Sequence, residues 1–434
     1  MFTSSILKNK LAKQPVWVVS VYAALCSFAV YFCMYAFRKP FTAAGFEGIS
    51  FLNIDYKVWL VTAQVIGYML SKFYGIRFIS SMKGEERAST IIKLILFAWF
   101  SLLLFAFIPA PYNILFLFLN GFPLGMVWGL VFSYLEGRKA TEFMGAVLCT
   151  SFSFSSGFVK TVGKSVLLNW HITEMWMPFI TGALFVLPML LFTWLLNHVP
   201  VPTDEDVRLR SIRKPMTKEE RKEFIAMFLP GIITIIITYV LLTVLRDFRD
   251  NFANELYTEL GYGNNASIFT ATEIPVSLIV LCCMSLLVLV KNNFRAFMIN
   301  HYMVMTGYAL ALVSTLLFTE HYLNPVMWMT MIGTGLYLSY VPFNALYFER
   351  MIASYKVKSN VGFIMYIADA FGYLGSVLVL FLKEFIGVKL SWTSFFTNAV
   401  VIVSVIGIAG TFVAMIYFRR KYLSVQSTVQ TVYA

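Results

Sequence analysis

Twelve runs of about 20 mostly apolar residues succeed one another along the chain, each long enough to cross a bilayer as a helix. Lipid offers no partner to backbone N–H and C=O groups, so a spanning segment must satisfy them itself, and runs of this length do so as helices. They fall at 16–39, 56–76, 90–109, 112–135, 142–168 and 176–197, then at 224–248, 266–290, 297–318, 325–348, 359–383 and 392–418. Composition agrees. The 434 residues are 59% hydrophobic and 13% charged, whereas a soluble domain carries about 25% charged residues. The chain reads as an all-α, multi-pass protein of the lipid bilayer.

Between the sixth and seventh runs lies a polar stretch, Pro200 to Glu223, with Arg208, Arg210, Arg213, Lys214, Lys218, Arg221 and Lys222 among its charges. It divides the chain into residues 1–197, a linker at 198–223, and residues 224–434. Lysine and arginine in short loops set orientation. With a cytoplasmic N-terminus, that side collects Lys8, Lys10, Lys13, Arg77, Lys83, Arg87, Arg138 and Lys139. It also collects the linker and Lys291, Arg295, Arg350, Lys356, Lys358, Arg419, Arg420 and Lys421. The other side keeps Lys57, Arg249, Lys383 and Lys389, with Arg38 and Lys39 near a helix end. Both termini are therefore expected in the cytoplasm, with the protein in the cell (inner or plasma) membrane. The net charge of +12 follows from this bias. No continuous basic patch suggests nucleic acid.

The two halves share a pattern. Arg38 and Arg246 are 208 positions apart, and so are Tyr31 and Tyr239. A tyrosine with an arginine seven residues later thus recurs at one spacing, as in a two-fold repeat that turns one cation from each half toward a shared centre. Guanidinium offers forked donors that match phosphate or carboxylate oxygens two at a time. A clamp on an anion is one reading. Snorkelling is the other, because each arginine lies about 33 Å of helical rise from its helix start and can reach outer headgroups. Matched positions favour the clamp, since snorkelling does not require them.

Other charges within the runs also need a reason. Lys72 lies in the second. Lys160 and Lys164 lie one turn apart in the fifth and share a face. They form a second cationic wall of the site, or else Lys164 reaches the outer surface while Lys160 pairs with an acid such as Asp369. Asp369 either carries a proton or neutralises a cation, and the ion pair is the favoured reading. Asp247 and Asp250 are expected at the outer mouth, and Glu273 is either a gate residue or, as the favoured reading, close to the outer interface. Cys26, Cys33, Cys149, Cys282 and Cys283 all fall in apolar runs without metal-ligand spacing, so neither a disulfide nor a metal is expected. Nor is a cofactor. His171, His198, His301 and His321 stand at or near run ends, and no nucleophile triad or phosphate-cradling loop accompanies them. An enzyme is not the reading.

Twelve helices in two pseudo-symmetric six-helix bundles, joined by a long basic linker, resemble the major facilitator superfamily, whose sites lie near the midplane between the halves. Shorter stretches resemble the organophosphate:phosphate antiporter family. They are Tyr35-Ala36-Phe37-Arg38-Lys39-Pro40-Phe41, Gly67-Tyr68-Met69-Leu70-Ser71-Lys72-Phe73-Tyr74-Gly75, Leu245-Arg246-Asp247, Tyr340-Val341-Pro342 onward to Glu349, and Phe371-Gly372-Tyr373-Leu374-Gly375. The resemblance implies phosphate binding by Arg38 and Arg246, with Lys72 as a supporting cation. Tyr31, Tyr35 and Tyr239 join them as expected site residues. The chain departs from the family at Gly125-Met126-Val127-Trp128-Gly129, where Gly-Trp-Pro is usual, and at Lys160 and Lys164, near where well-known members carry a histidine. The second-to-third loop, Ser80 to Arg87, lacks the usual Asp-Arg. A cousin with an altered substrate is expected: a monomeric secondary transporter of a phosphorylated or other small organic anion, exchanging it for inorganic phosphate by alternating access. A proton-coupled transporter of a carboxylate or amphipathic solute, and a non-transporting organophosphate sensor, are the alternatives.

Overall fold

Every one of the twelve apolar runs forms a helix in the computed structural model. Residues 5–80, 82, 84–138, 140–202, 206, 218–355, 357, 361–385 and 391–433 are described. Lys83, Lys139, Lys356, Lys358, Lys389 and linker residues 203–205 and 207–217 lie outside the described residues. A short helix, α1 (Ser5–Ala12), precedes α2 (Val16–Tyr35), α3 (Tyr56–Ser80), α4 (Arg87–Phe107), α5 (Ile114–Phe132), α6 (Thr141–Trp170) and α7 (Met177–Leu196). After the linker come α8 (Lys218–Asn251), the short α9 (Ala253–Glu259), α10 (Ile268–Val288), α11 (Asn293–Thr319) and α12 (Pro325–Pro342). A π-helical turn at Phe343–Tyr347 then leads into α13 (Phe348–Tyr355), α14 (Val361–Phe385) and α15 (Trp392–Tyr433). Two short antiparallel strands, β1 (Ser50–Phe51) and β2 (Ile54–Asp55), fold the connection between α2 and α3 into a hairpin.

Eight of the described helices are long and apolar enough to cross a membrane by length and composition. Of the remaining long helices, α6 shows why polar residues are tolerated in a span. Its Ser151, Ser153, Ser155, Ser156 and Lys160 are buried against protein, where partners are at hand and lipid is not the solvent.

The first helix is shorter than the 16–39 expected from hydropathy. It ends at Tyr35. Pro40 has no N–H and disfavours helical backbone in the residue before it. The chain tightens instead: the N–H groups of Arg38 and Lys39 both donate to the Tyr35 carbonyl, and Pro40–Ala43 form a 3₁₀ turn. Arg38 and Lys39 therefore stand on a turn beyond the helix rather than along its side.

Contacts group the chain into two compact units. Unit 1 comprises Met1–Arg210 with Asp247–Leu278 and Val377–Ser394, and unit 2 comprises Ser211–Arg246 with Ile279–Ser376 and Phe395–Ala434. Unit 1 is built around the crossing of α3 and α5. A Cβ on Gly67 would lie 3.1 Å from the backbone nitrogen of Phe122, and one on Gly121 would lie 3.1 Å from the Cα of Gln64. Small residues at such a crossing let two backbones touch. The close approach brings Gln64 to Asn120, with the Gln64 Nε2 donating to the Asn120 Oδ1 at 2.8 Å. In unit 2, α11 and α12 cross in the same manner at Gly307 and Gly335. The buried Tyr308 hydroxyl donates to the Thr238 carbonyl at 2.8 Å, tying α11 to α8. His301 stands inside α11 rather than at its end. Its Nδ1 lies 2.9 Å from the Phe297 carbonyl and its Nε2 lies 2.8 Å from the Tyr347 hydroxyl.

Asn120 supplies a test of this packing. It is fully buried, and its Nδ2 donates to the carbonyls of Phe37 at 2.9 Å and Ala98 at 3.0 Å while its Oδ1 accepts from Gln64. Asn120→Leu keeps the branching at Cγ and removes all three bonds. Each buried group left bare costs about 1–3 kcal/mol. The variant is expected to lose about 3 kcal/mol, read as a lowered thermal midpoint of purified protein.

Candidate functional site: two arginine–tyrosine stacks and a buried ion network

In unit 1 the turn after α2 aims Arg38 at α3. Its guanidinium lies over the Tyr68 ring, 3.8 Å from the centroid, a cation–π contact. The orphan carbonyls of the helix end are met by side chains: Gln64 donates to the Arg38 carbonyl at 2.9 Å, and Asn120 donates to that of Phe37. These bonds fix the turn from which the guanidinium projects. Lys72, one helical turn beyond Tyr68, sits over the same ring at 5.4 Å. The Tyr31 hydroxyl lies 3.5 Å from that of Tyr68, and the Tyr31 ring packs edge-on to Tyr35 at 5.5 Å and to Phe152 at 5.7 Å. Arg38 is 8% exposed.

Unit 2 builds a counterpart from different helices. Arg246, near the end of α8, lies over the Tyr340 ring of α12 at 3.8 Å. Tyr239, the repeat partner of Tyr31, stacks on Tyr340 with centroids 5.6 Å apart. Its hydroxyl donates to the Asp369 Oδ1 of α14 at 2.5 Å, and Asn344 of the π turn approaches the same hydroxyl at 3.5 Å. The Arg–Tyr–Tyr grouping thus recurs in each unit. The platform tyrosine comes from the second long helix in one and from α12 in the other; in unit 2 the Asp369 carboxylate joins the grouping through Tyr239, and in unit 1 the Lys72 ammonium joins it over Tyr68.

A second feature of unit 1 is a buried ion network. The Lys39 Nζ lies 2.5 Å from the Asp250 Oδ2 and donates to the Asn251 Oδ1 at 2.7 Å. The Lys160 Nζ lies 2.5 Å from the Asp250 Oδ1 and also meets the Asp250 carbonyl, and Ser156 donates to the same carboxylate at 2.5 Å. Arg249 pairs with Glu273 at 2.6 Å, and Glu273 accepts from Ser153. Gly157 makes room for it, since a Cβ there would lie 2.6 Å from the Glu273 Cγ. Lys57 donates to Glu255 at 2.5 Å and to the carbonyls of Thr42 and Ala44 at 2.9 and 2.8 Å. Lys164 donates to the Asn254 Oδ1 at 2.8 Å. Outside the spanning helices, burial pushes the Lys39 ammonium down to about 8 against the opposing pull of Asp250. Burial likewise raises the Glu255 carboxyl, with Lys57 opposing.

Four expected residues meet in unit 1, Arg38, Lys72, Tyr31 and Tyr35, and three in unit 2, Arg246, Tyr239 and Asp369. Lys160 and Lys164 do not stand with the Tyr68 stack; they hold Asp250 and Asn254. The acid of Lys160 is Asp250 rather than Asp369, and Asp369 takes a tyrosine hydrogen bond. Glu273 is a buried ion-pair member, not an interfacial residue, and Asp250 is gripped by two lysines rather than facing an open mouth. Lys57 and Arg249, counted among the outer loops, are 1% and 4% exposed. Sequence reasoning passed over Tyr68, Tyr340, Gln64, Asn120 and Glu255. One signal was available. Lys39, Lys57, Lys160 and Lys164 at the outer ends of early runs are matched by Asp250, Glu255 and Glu273 at the outer ends of later ones.

Known folds place this geometry. A point mutant of the nucleoside transporter NupG superposes with a TM-score of 0.59 at 13% identity, over 92% of this chain and 100% of that one. A bacterial homologue of the human lysosomal transporter Spinster, inward-facing and unoccupied, gives 0.57 at 12% identity, over 93% and 98%. No curated protein matches the chain by sequence. The chain shares the helical fold of these two structures. A family model matches residues 40–421. By that match the chain belongs to the family of unknown function DUF5690.

Proposed function

We propose that this protein is a secondary transporter, not an enzyme, and that it carries a phosphorylated or similar small organic anion in exchange for inorganic phosphate. The observation that carries the reading is the repeated stack. In each unit an arginine lies flat on a tyrosine at 3.8 Å, at positions related by the sequence repeat. A guanidinium that stacks on a ring by its face carries its forked N–H donors in its own plane, a geometry that matches the oxygens of a carboxylate or phosphate. The superfamily fold supports transport by alternating access, and the two solved structures it resembles are transporters by name. Two bundles, 1–197 and 224–434, joined by a cytoplasmic linker with both termini on the same side, follow from loop charge. Arg38 and Arg246 are the proposed anion-binding residues, with Lys72, Tyr31, Tyr35 and Tyr239 in support. Lys39, Lys160 and Asp250 form a bolt that opens during the cycle, with Arg249 and Glu273 as a second one.

Exchange is tested in proteoliposomes loaded with labelled phosphate. External organophosphate is expected to accelerate efflux strongly, and efflux equally fast into anion-free medium overturns the reading. The arginines are tested by ligand affinity. Arg38→Lys and Arg246→Lys each keep the charge and lose the fork, so each is expected to weaken binding at least tenfold, about 1.4 kcal/mol. Near-normal affinity in both single variants would indicate residues that only reach for headgroups. Asp250→Asn strands two buried lysines and is expected to cost about 3–5 kcal/mol of stability, measured by thermal unfolding. Asp250→Glu should restore most of it.

A further inference from the structure

The helix that carries Tyr340 contains a residue too many for a regular α-helix, and the π turn at Phe343–Tyr347 absorbs it. The consequence is a change of face. α12 crosses α11 at Gly335, and the Ser339 hydroxyl donates to the Val304 carbonyl of α11 at 3.0 Å. In a regular helix the next residue to return to that face would be Leu346, about three turns after Gly335. Tyr347 stands there instead, its hydroxyl 2.8 Å from the His301 Nε2 of α11. A regular helix would put Tyr347, two turns after Tyr340, within about 20° of the Tyr340 face. That face is turned to Tyr239 and Arg246 of α8. The π turn thus lets two tyrosines of one chain segment serve two neighbours, Tyr340 serving α8 and Tyr347 serving α11.

Both ends of the turn are held. His301 and Tyr347 are fully buried, and the rings of Phe297 and Phe418 pack on the imidazole. A carbonyl only accepts, so the His301 Nδ1, 2.9 Å from the Phe297 carbonyl, carries the hydrogen. The Nε2 of the neutral ring then accepts, and the Tyr347 hydroxyl donates to it. At the other end Phe343 packs edge-on to Tyr239 at 5.2 Å. Asn344 donates to the Tyr340 carbonyl at 3.2 Å and approaches the Tyr239 hydroxyl. The Tyr308 hydroxyl ties α11 to α8, so the turn bridges two helices that are themselves joined. π turns are rare and frequent at functional sites.

We infer that Tyr347 is a positioning residue: its hydrogen bond to His301 holds the π turn, and the turn holds the Tyr239–Tyr340 platform under Arg246. This rests on the reading of Arg246 as an anion-binding residue. When the turn relaxes to a regular helix, either Tyr347 leaves His301 or Phe343 and Asn344 leave Tyr239. Apparent affinity then falls with the fraction of molecules that keep the platform.

Binding of inorganic phosphate to purified full-length protein, measured by calorimetry, is the test. Tyr347→Phe keeps the ring and removes the bond, and is expected to weaken phosphate binding about fivefold, as the loss of one buried hydrogen bond does. His301→Phe should cost as much, and the two together no more, because they share one bond. Deletion of Ala345 removes the surplus residue and lets a regular helix bring Tyr347 to α11. In that background Tyr347→Phe is expected to leave phosphate affinity unchanged, whereas a merely structural bond would cost as much as in the parent chain. Arg246→Lys, measured alongside, reports on the anion site itself. If it binds at least about tenfold more weakly while Tyr347→Phe binds as the wild type does, the positioning role is overturned and the anion site stands. A loss that persists undiminished in the Ala345 deletion has the same meaning, as do additive losses in the Tyr347→Phe, His301→Phe double variant should the deletion fail to fold. Phosphate binding that is absent from the wild type, or untouched by Arg246→Lys, overturns the anion site and the positioning role with it.

Discussion

The stretch from Ala36 to Phe46 is not α-helical, yet it lies buried, and its polar backbone groups must find partners outside regular structure. Side chains from across unit 1 supply them. Asn120 and Gln64 cap the carbonyls of Phe37 and Arg38. Lys57 takes those of Thr42 and Ala44. Glu174 accepts from the N–H groups of Gly45 and Phe46, each at 2.9 Å. The break before Pro40 thus creates demands that α3, α5 and α6 with its following loop meet together. In return it sends two adjacent side chains in different directions, Arg38 to the Tyr68 ring and Lys39 to Asp250. One turn connects the arginine–tyrosine grouping of unit 1 to its ion network.

That connection gives the ion network a significance beyond stability. Buried ion pairs contribute little net stability relative to an apolar replacement, because desolvation offsets their attraction, but losing one partner is severe. Asp250 satisfies two lysines at once, so losing it strands both. Packed leucines would join these segments at less cost in free energy, which is why the cluster suits the bolt proposed above better than a permanent weld.

The helices were legible because hydrophobic run length is a property of the chain alone. The end of α2 was not, since hydropathy carries through Phe37 while the backbone obeys Pro40. The arginines were legible through the repeat, which is arithmetic on positions. Their stacking partners Tyr68 and Tyr340 were not, because they come from non-equivalent helices and a repeat cannot point to them. Lys57, Arg249 and Glu273 were misjudged for a common reason. A charge near the end of a hydrophobic run looks interfacial in one dimension, and only the three-dimensional meeting of acids and bases reveals that it is buried.

The exchange proposed above rests on the same physics. Arg38 and Arg246 cannot shed their charge. Charge in a low-dielectric interior is costly, so on that proposal an anion that balances a guanidinium lowers the barrier to reorientation, and substrate charge, not shape, is the primary gate. Shape selection falls to the tyrosines beneath the two guanidiniums, which present flat apolar faces beside a charged fork.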